Sequence, residues 1–182
     1  MTTKRFSLTA ALLLGLSGTG GVARAADQAQ TEFLQNLHAI NRTEIDVGKL
    51  AQSHGQSQAT KDYGKVLVDD HKMLDQRVEK LAKAENVDLS PKNPTPAVKD
   101  LEQKLGALTN DLKNAPKDKF DDTFATKMAE GHKEAMALVQ KAEQTFQGNQ
   151  AFEALAKGTM PVLQKHEDMA VEILRENKAM AH

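Results

Sequence analysis

The sequence predicts an all-α protein: a four-helix bundle with a short accessory helix on the connection between its second and third long helices. Three observations predict it. Apolar residues recur at spacings of three and four over most of the chain. Alternating runs of Val, Ile and Thr, which would make half-buried strands, are missing. Clusters of Gly, Pro and Asn cut the periodic stretches into four long pieces and one short piece.

The first long helix is expected from about Thr31 to His54, where Gly55 ends it, and the second from about Ser57, as N-cap, to Glu85. The stretch "NVDLSPKNPTP", residues 86–96, carries three prolines and no helical period, so it reads as a connector crossing one end of the bundle. Thr95 and Pro96 then look like an N-cap and a first-turn proline opening the accessory helix, from Ala97 to about Leu112. "NAPKD" interrupts the chain again, and a long helix follows from about Phe120 to Phe146. "QGN" makes the next turn, and the last helix runs from about Asn149 to Asn177, with Pro161 expected to kink or restart it.

The N-terminus carries a different signal. Lys4 and Arg5 precede an apolar run from Phe6 to Leu16, and Ala23, Arg24, Ala25 form an A-x-A cleavage site. Residues 1–25 are therefore expected to be a secretory signal peptide cut after Ala25, leaving residues 26–182 as one domain in the periplasm or outside the cell. Cutting there removes three basic residues and no acid, so the net charge moves from −1 to −4 over 157 residues. No later stretch approaches the roughly 20 apolar residues of a membrane span. Lysines alternate with carboxylates at helical spacing, which makes solvated faces rather than a nucleic-acid footprint. With no cysteine, the chain is neither a lipid-anchored lipoprotein nor a disulfide scaffold.

The inward face of each long helix can be traced as a row. The first gives Phe33, Leu37, Ile40, Glu44, Val47, Ala51; the second gives Leu67, His71, Leu74, Val78, Leu81. The third gives Phe124, Met128, His132, Ala135, Val139, Ala142; the last gives Phe152, Leu155, Thr159, Val162, His166 and Ile173, with Met169 or Ala170 between. Glu44, His71, His132 and His166 are titratable groups in otherwise nearly apolar stripes. Depth tests whether they can meet. Counted from the first turn near Gln56, Glu44 lies 12 residues back and His71 lies 15 forward, a mismatch of about 4.5 Å at 1.5 Å per residue. Counted from Gly148, His132 lies 16 residues back and His166 lies 18 forward, so all four fall near one level.

Three imidazoles and a carboxylate can supply a first shell for zinc, copper or iron on facing helices. Asp69, Asp70, Glu134 and Glu167 lie beside the histidines and can hold their second ring nitrogens or add ligands, Asp70 being the strongest candidate. Met136 and Met169 follow His132 and His166 by four and three residues, which would suit Cu(I) if they faced the site and would be flexible core filler otherwise. His38, His54 and His182 are expected at surfaces or ends. The alternative to a metal site is a metal-free hydrogen-bond network in which Glu44 accepts from His71 or His166 and fixes the register of the bundle. In that case the chain is a structural or stress-related envelope protein. Its partners, and whether it forms homo-oligomers, are left open. Catalysis has the least support, since no nucleophile elbow, phosphate-cradling loop or cofactor fingerprint is present.

Four segments, "EIDVGKLA" (44–51), "VDDHKML" (68–74), "FDDTFATKMAEGHKEA" (120–135) and "MPVLQKHEDMA" (160–170), resemble in that order the bacterial secreted proteins grouped as domain of unknown function 4142. The resemblance covers most of the mature chain. It implies a signal peptide, a ferritin-like four-helix fold, an outer-membrane or envelope setting, and recurring positions corresponding to Glu44, Asp70, His71, His132, Pro161 and His166. It implies no activity. Gly131 stands where similar proteins often carry an acidic residue before the third-helix histidine, with Glu130 one step further back. The di-iron motif of ferritins, Glu-x-x-His, does not occur in the mature chain, which disfavours ferritin-type iron oxidation.

Overall fold

The computed structural model describes residues 19–180, with side chains described for 27–179. Most of the expected signal peptide (1–18) and His182 lie outside the described residues. Among the described residues the chain is all-helical: α1 (Thr19–His54), α2 (Gln58–Ala84), α3 (Pro96–Lys113), α4 (Phe120–Thr145) and α5 (Gln150–Met180), with a 3₁₀ turn at Lys117–Lys119.

Two boundaries depart from expectation. The first helix starts at Thr19 rather than Thr31, because residues 22–30 are rich in Ala and Gln and contain no proline, so helical propensity continues upstream of the first core residue, Phe33. The last helix runs unbroken through Pro161, so the restart expected there does not occur. The ring removes one N–H from the ladder, but the surrounding residues Ala156, Thr159 and Leu163 are buried and packing holds the segment helical.

The caps follow the sequence. The Ser57 side chain accepts from the Thr60 N–H and that of Thr95 from the Val98 N–H, each satisfying a donor that its helix leaves without an intrahelical partner. The α1–α2 turn is tied further by Asp121, whose two carboxylate oxygens accept from the backbone N–H groups of Gln56 and Ser57 at 2.9 and 2.8 Å. This contact also fixes direction. The start of α4 sits at the start of α2, so these two helices run parallel, while α1 and α5 run the opposite way.

Packing follows from that topology. α1 pairs with α2 along its length, α4 pairs with α5, and α2 joins the two pairs through α5. Gly48 and Gly64 allow the first pairing to be close, since a Cβ on Gly64 would meet the Gly48 carbonyl oxygen at 2.5 Å. α1 and α4 barely touch, and α3, returning along the molecule from the Pro-rich connector, lies between them. Two apolar clusters result. One gathers Phe33, Val78, Val139, Phe146 and Phe152 at the connector end; the other gathers Tyr63, Leu67, Phe120, Phe124 and Ile173 at the α1–α2 turn end. Between them each long helix contributes buried polar residues: Asn41 and Glu44, His71, His132, Thr159 and His166.

Candidate metal centre

The three histidines arrive from three helices. His71 (α2), His132 (α4) and His166 (α5) are no more than 1% exposed, and each offers a ring nitrogen so placed that all three lie within 4.8 Å of one another. The rings of His132 and His166 meet edge to face with centroids 5.1 Å apart; those of His71 and His166 are also 5.1 Å apart, and those of His71 and His132 are 5.9 Å apart.

Each ring has one nitrogen engaged by a fixed partner. His132 Nδ1 lies 2.8 Å from the Met128 carbonyl oxygen, one turn back on its own helix. That oxygen can only accept, so Nδ1 carries the proton and Nε2 a lone pair. His166 Nε2 lies 2.9 Å from Asp70 Oδ2, which also accepts from Lys165 Nζ at 2.7 Å. Burial raises the Asp70 carboxyl, but the bonds from Lys165 and His166 outweigh it and leave its pKa below the ordinary value. An ionised Asp70 requires a proton on His166 Nε2. His71 Nδ1 lies 2.9 Å from Asn41 Oδ1, the third such acceptor.

The nitrogens left over are His132 Nε2, His166 Nδ1 and His71 Nε2. The first two face each other at 3.2 Å, and the third is buried with no hydrogen-bond partner. All three rings favour the neutral state. Burial, followed by the neighbouring His166 and His132, holds His71 well below the ordinary histidine value. Burial and His166 push His132 down to about 4 against the opposing pull of the Met128 carbonyl. Burial also lowers His166, and Lys165 adds to this; the Asp70 bond only partly offsets them. Neutral, buried imidazoles with their outer nitrogens oriented by acceptors are what a divalent or monovalent transition metal requires of histidine ligands. The group can hold a metal ion.

Glu44 and Asp70 stand apart from the converging nitrogens. Asp70 engages the outer nitrogen of His166 rather than the inner one. Glu44 is 4% exposed, and its Oε2 is sealed from solvent without a partner. Burial alone pushes its carboxyl up to about 8. The expected acceptance by Glu44 from His71 or His166 is therefore absent; Asn41 takes His71 instead.

Asn41 and the Met128 carbonyl are the functional partners the sequence did not disclose. The backbone carbonyl also accounts for Gly131: with Met128 O serving the ring, no acidic neighbour is needed. Met136 packs at the edge of the connector-end cluster and Met169 at the edge of the other, as core filler. His54 is exposed, but His38 is half-buried and paired with Asp75, its Nδ1 lying 2.7 Å from Oδ1. His38 thus lies near the surface, as expected, but is held by a buried partner.

No helix among the described residues is long and apolar enough to cross a membrane. No curated protein and no solved structure matches the chain. A family model does, over residues 18–173, which take in all the elements that build the histidine group. The chain belongs to the family described as domain of unknown function (DUF4142).

Proposed function

We propose that this protein is an exported, ferritin-like four-helix bundle that holds one transition-metal ion, zinc, copper or iron, on His132 Nε2, His166 Nδ1 and His71 Nε2. The observation that carries the metal reading is the 3.2 Å approach of His132 Nε2 to His166 Nδ1. With the outer nitrogens donating their protons to Met128 O and Asp70, the lone pairs of His132 Nε2 and His166 Nδ1 point at each other in a buried space, and a cation between them converts repulsion into ligation. A metal-free network would need a second proton on His166, which burial and Lys165 oppose. It would also leave His71 Nε2 unpaired.

The bundle reading is supported by the up, down, down, up course of the long helices with α3 on the long crossover, the arrangement in which ferritin-like proteins place metals between facing helices. Export is supported by the character of residues 1–25. Three nitrogens and a lone unbridged glutamate do not suit a di-iron centre, so the reading is a mononuclear site with room for a further ligand.

The test is thermal. After chelation, adding Zn²⁺, Cu⁺ or Fe²⁺ should raise the melting temperature of the full chain, by binding to the folded state alone, and His132→Ala should remove the rise. A response to none of the three, or an equal response in the variant, would overturn the proposal.

A further inference from the structure

A cavity of about 400 Å³ opens beside the histidine group, where α1 and α4 are held apart and α3 lies across the gap. Its walls are apolar: Ile40 on α1, Leu138 on α4, and Leu101, Leu105 and Leu108, which recur at helical spacing along α3. Two polar side chains of α1 also line it, Asn36 and Glu44, and each has an oxygen sealed from solvent with no hydrogen-bond partner. They lie eight residues apart with Ile40 midway, so the two acceptors are separated by roughly 12 Å along the helix. At the mouth, Lys127 is held by Asp111 at 3.1 Å, which leaves Glu130 and Glu134 facing Lys104 alone.

An occupant has to answer this pattern. Buried acceptors without donors are unfavourable, so a purely apolar guest leaves both penalties in place. A carboxylate guest would bring an anion to a mouth that already carries Glu130 and Glu134. A chain with a hydrogen-bond donor at each end satisfies both oxygens, once the Asn36 and Glu44 side chains turn them to the cavity wall, and covers the leucines. The surplus of carboxylates at the mouth favours a cation.

We propose that this cavity is a binding site for an aliphatic amine, with its ammonium end against the Glu44 carboxyl, its chain over Ile40 and the α3 leucines, and a second donor end at Asn36. His132 also lines the cavity, but the contacts proposed for the amine are to Glu44 and Asn36 and use none of the nitrogens assigned to the metal.

Calorimetric titration of the full chain, kept in chelator so that no metal can bind the amine, tests it. Diaminooctane, whose nitrogens are about as far apart as the two acceptors, should bind once per chain. Octylamine should bind about 10-fold more weakly, the fold-change expected for losing one hydrogen bond. Octanoate should give no heat of binding. Glu44→Gln should weaken both amines at least about 10-fold, whereas Asn36→Leu should weaken diaminooctane to the level of octylamine and leave octylamine unchanged. Circular dichroism establishes that each variant is folded, and the half-buried Asn36 gives a readout even if the Glu44 variant fails to fold. Absence of amine binding, octanoate binding as tight as the amines, or affinities untouched by either substitution would overturn the proposal.

Discussion

Among the described residues, two clusters bring three metal-ligating side chains together, and they differ in what their lone pairs face. The inner one is His71, His132 and His166; the outer one is His38, Asp75 and Glu79, on the surface between α1 and α2. In the outer cluster His38 Nδ1 is already engaged by Asp75 at 2.7 Å, Glu79 is exposed, and the cations Arg42, Lys49 and Lys72 line the adjoining depression. Its charges answer one another and the solvent screens the rest. In the inner cluster the partners lie outside the ring of histidines, at Asn41, Met128 and Asp70, and the unengaged nitrogens point inward. Proximity of ligand types does not make a metal site. Unengaged lone pairs turned on one another in a buried space are what the metal proposal rests on.

The comparison is broken most directly by substitution of one histidine in each cluster. His132→Ala should abolish metal-dependent stabilisation, while His38→Ala should leave it intact; equal loss in both, read by melting temperature, would mean the two clusters are equivalent. Next in size, Asp70→Asn should weaken metal binding by about 10- to 100-fold through loss of the carboxylate that orients His166, whereas Glu79→Gln should leave affinity unchanged. Competition with a metal-sensitive dye measures both.

The pH dependence of the metal-free protein sharpens the contrast between buried and screened groups. Glu44, raised to about 8 from an ordinary 4.5, contributes stability that is complete below the unfolded value and is lost as pH rises through about 8. His132, depressed to about 4 from 6.5, contributes stability present above 6.5 and lost as pH falls toward 4. Chelated protein should therefore be most stable in mildly acidic solution, between those two losses. Glu44→Gln should abolish the alkaline loss, leaving the variant more stable than the parent by a few kcal/mol above pH 8. Urea unfolding across pH 4 to 9 reads this, and an unchanged alkaline limb would exclude Glu44 as its source. The outer cluster is read in the same chelated protein: His38→Ala should cost about 1 to 3 kcal/mol by urea unfolding at pH 7, because it leaves the buried Asp75 carboxylate without its partner.

Much of this was legible in the sequence, for a definite reason. Helical period places side chains on faces and rise places them at depths, so the rows through Phe33, Leu67, Phe124 and Phe152 emerge buried except at Leu81 and Val162, which are half-buried, Leu163 taking the core position beside the latter, and three of the four polar residues in the rows meet. Glu44 shares their level but not their point of convergence. Period says which way a residue faces without saying how far apart two helices stand, and α1 stands away from α4 with α3 between. Of the partners of the imidazoles, Asp70 was legible beside His71 and does engage His166, while the other two were hidden for different reasons. Asn41 lies off the inward row, and a backbone carbonyl such as that of Met128 has no signature in sequence at all. The upstream extension of α1 and the unbroken course of α5 through Pro161 were missed because local signals were set against packing and propensity that acted over longer stretches.

The central claim is a mononuclear metal site on three buried histidines. Elemental analysis of the full chain, purified from its native compartment and again after chelation and re-equilibration with Zn²⁺, Cu⁺ or Fe²⁺, tests it most directly. One equivalent of a single transition metal per chain, absent from His132→Ala, is the result predicted; metal-free protein under all of these conditions, or the same metal content in the variant, would contradict it.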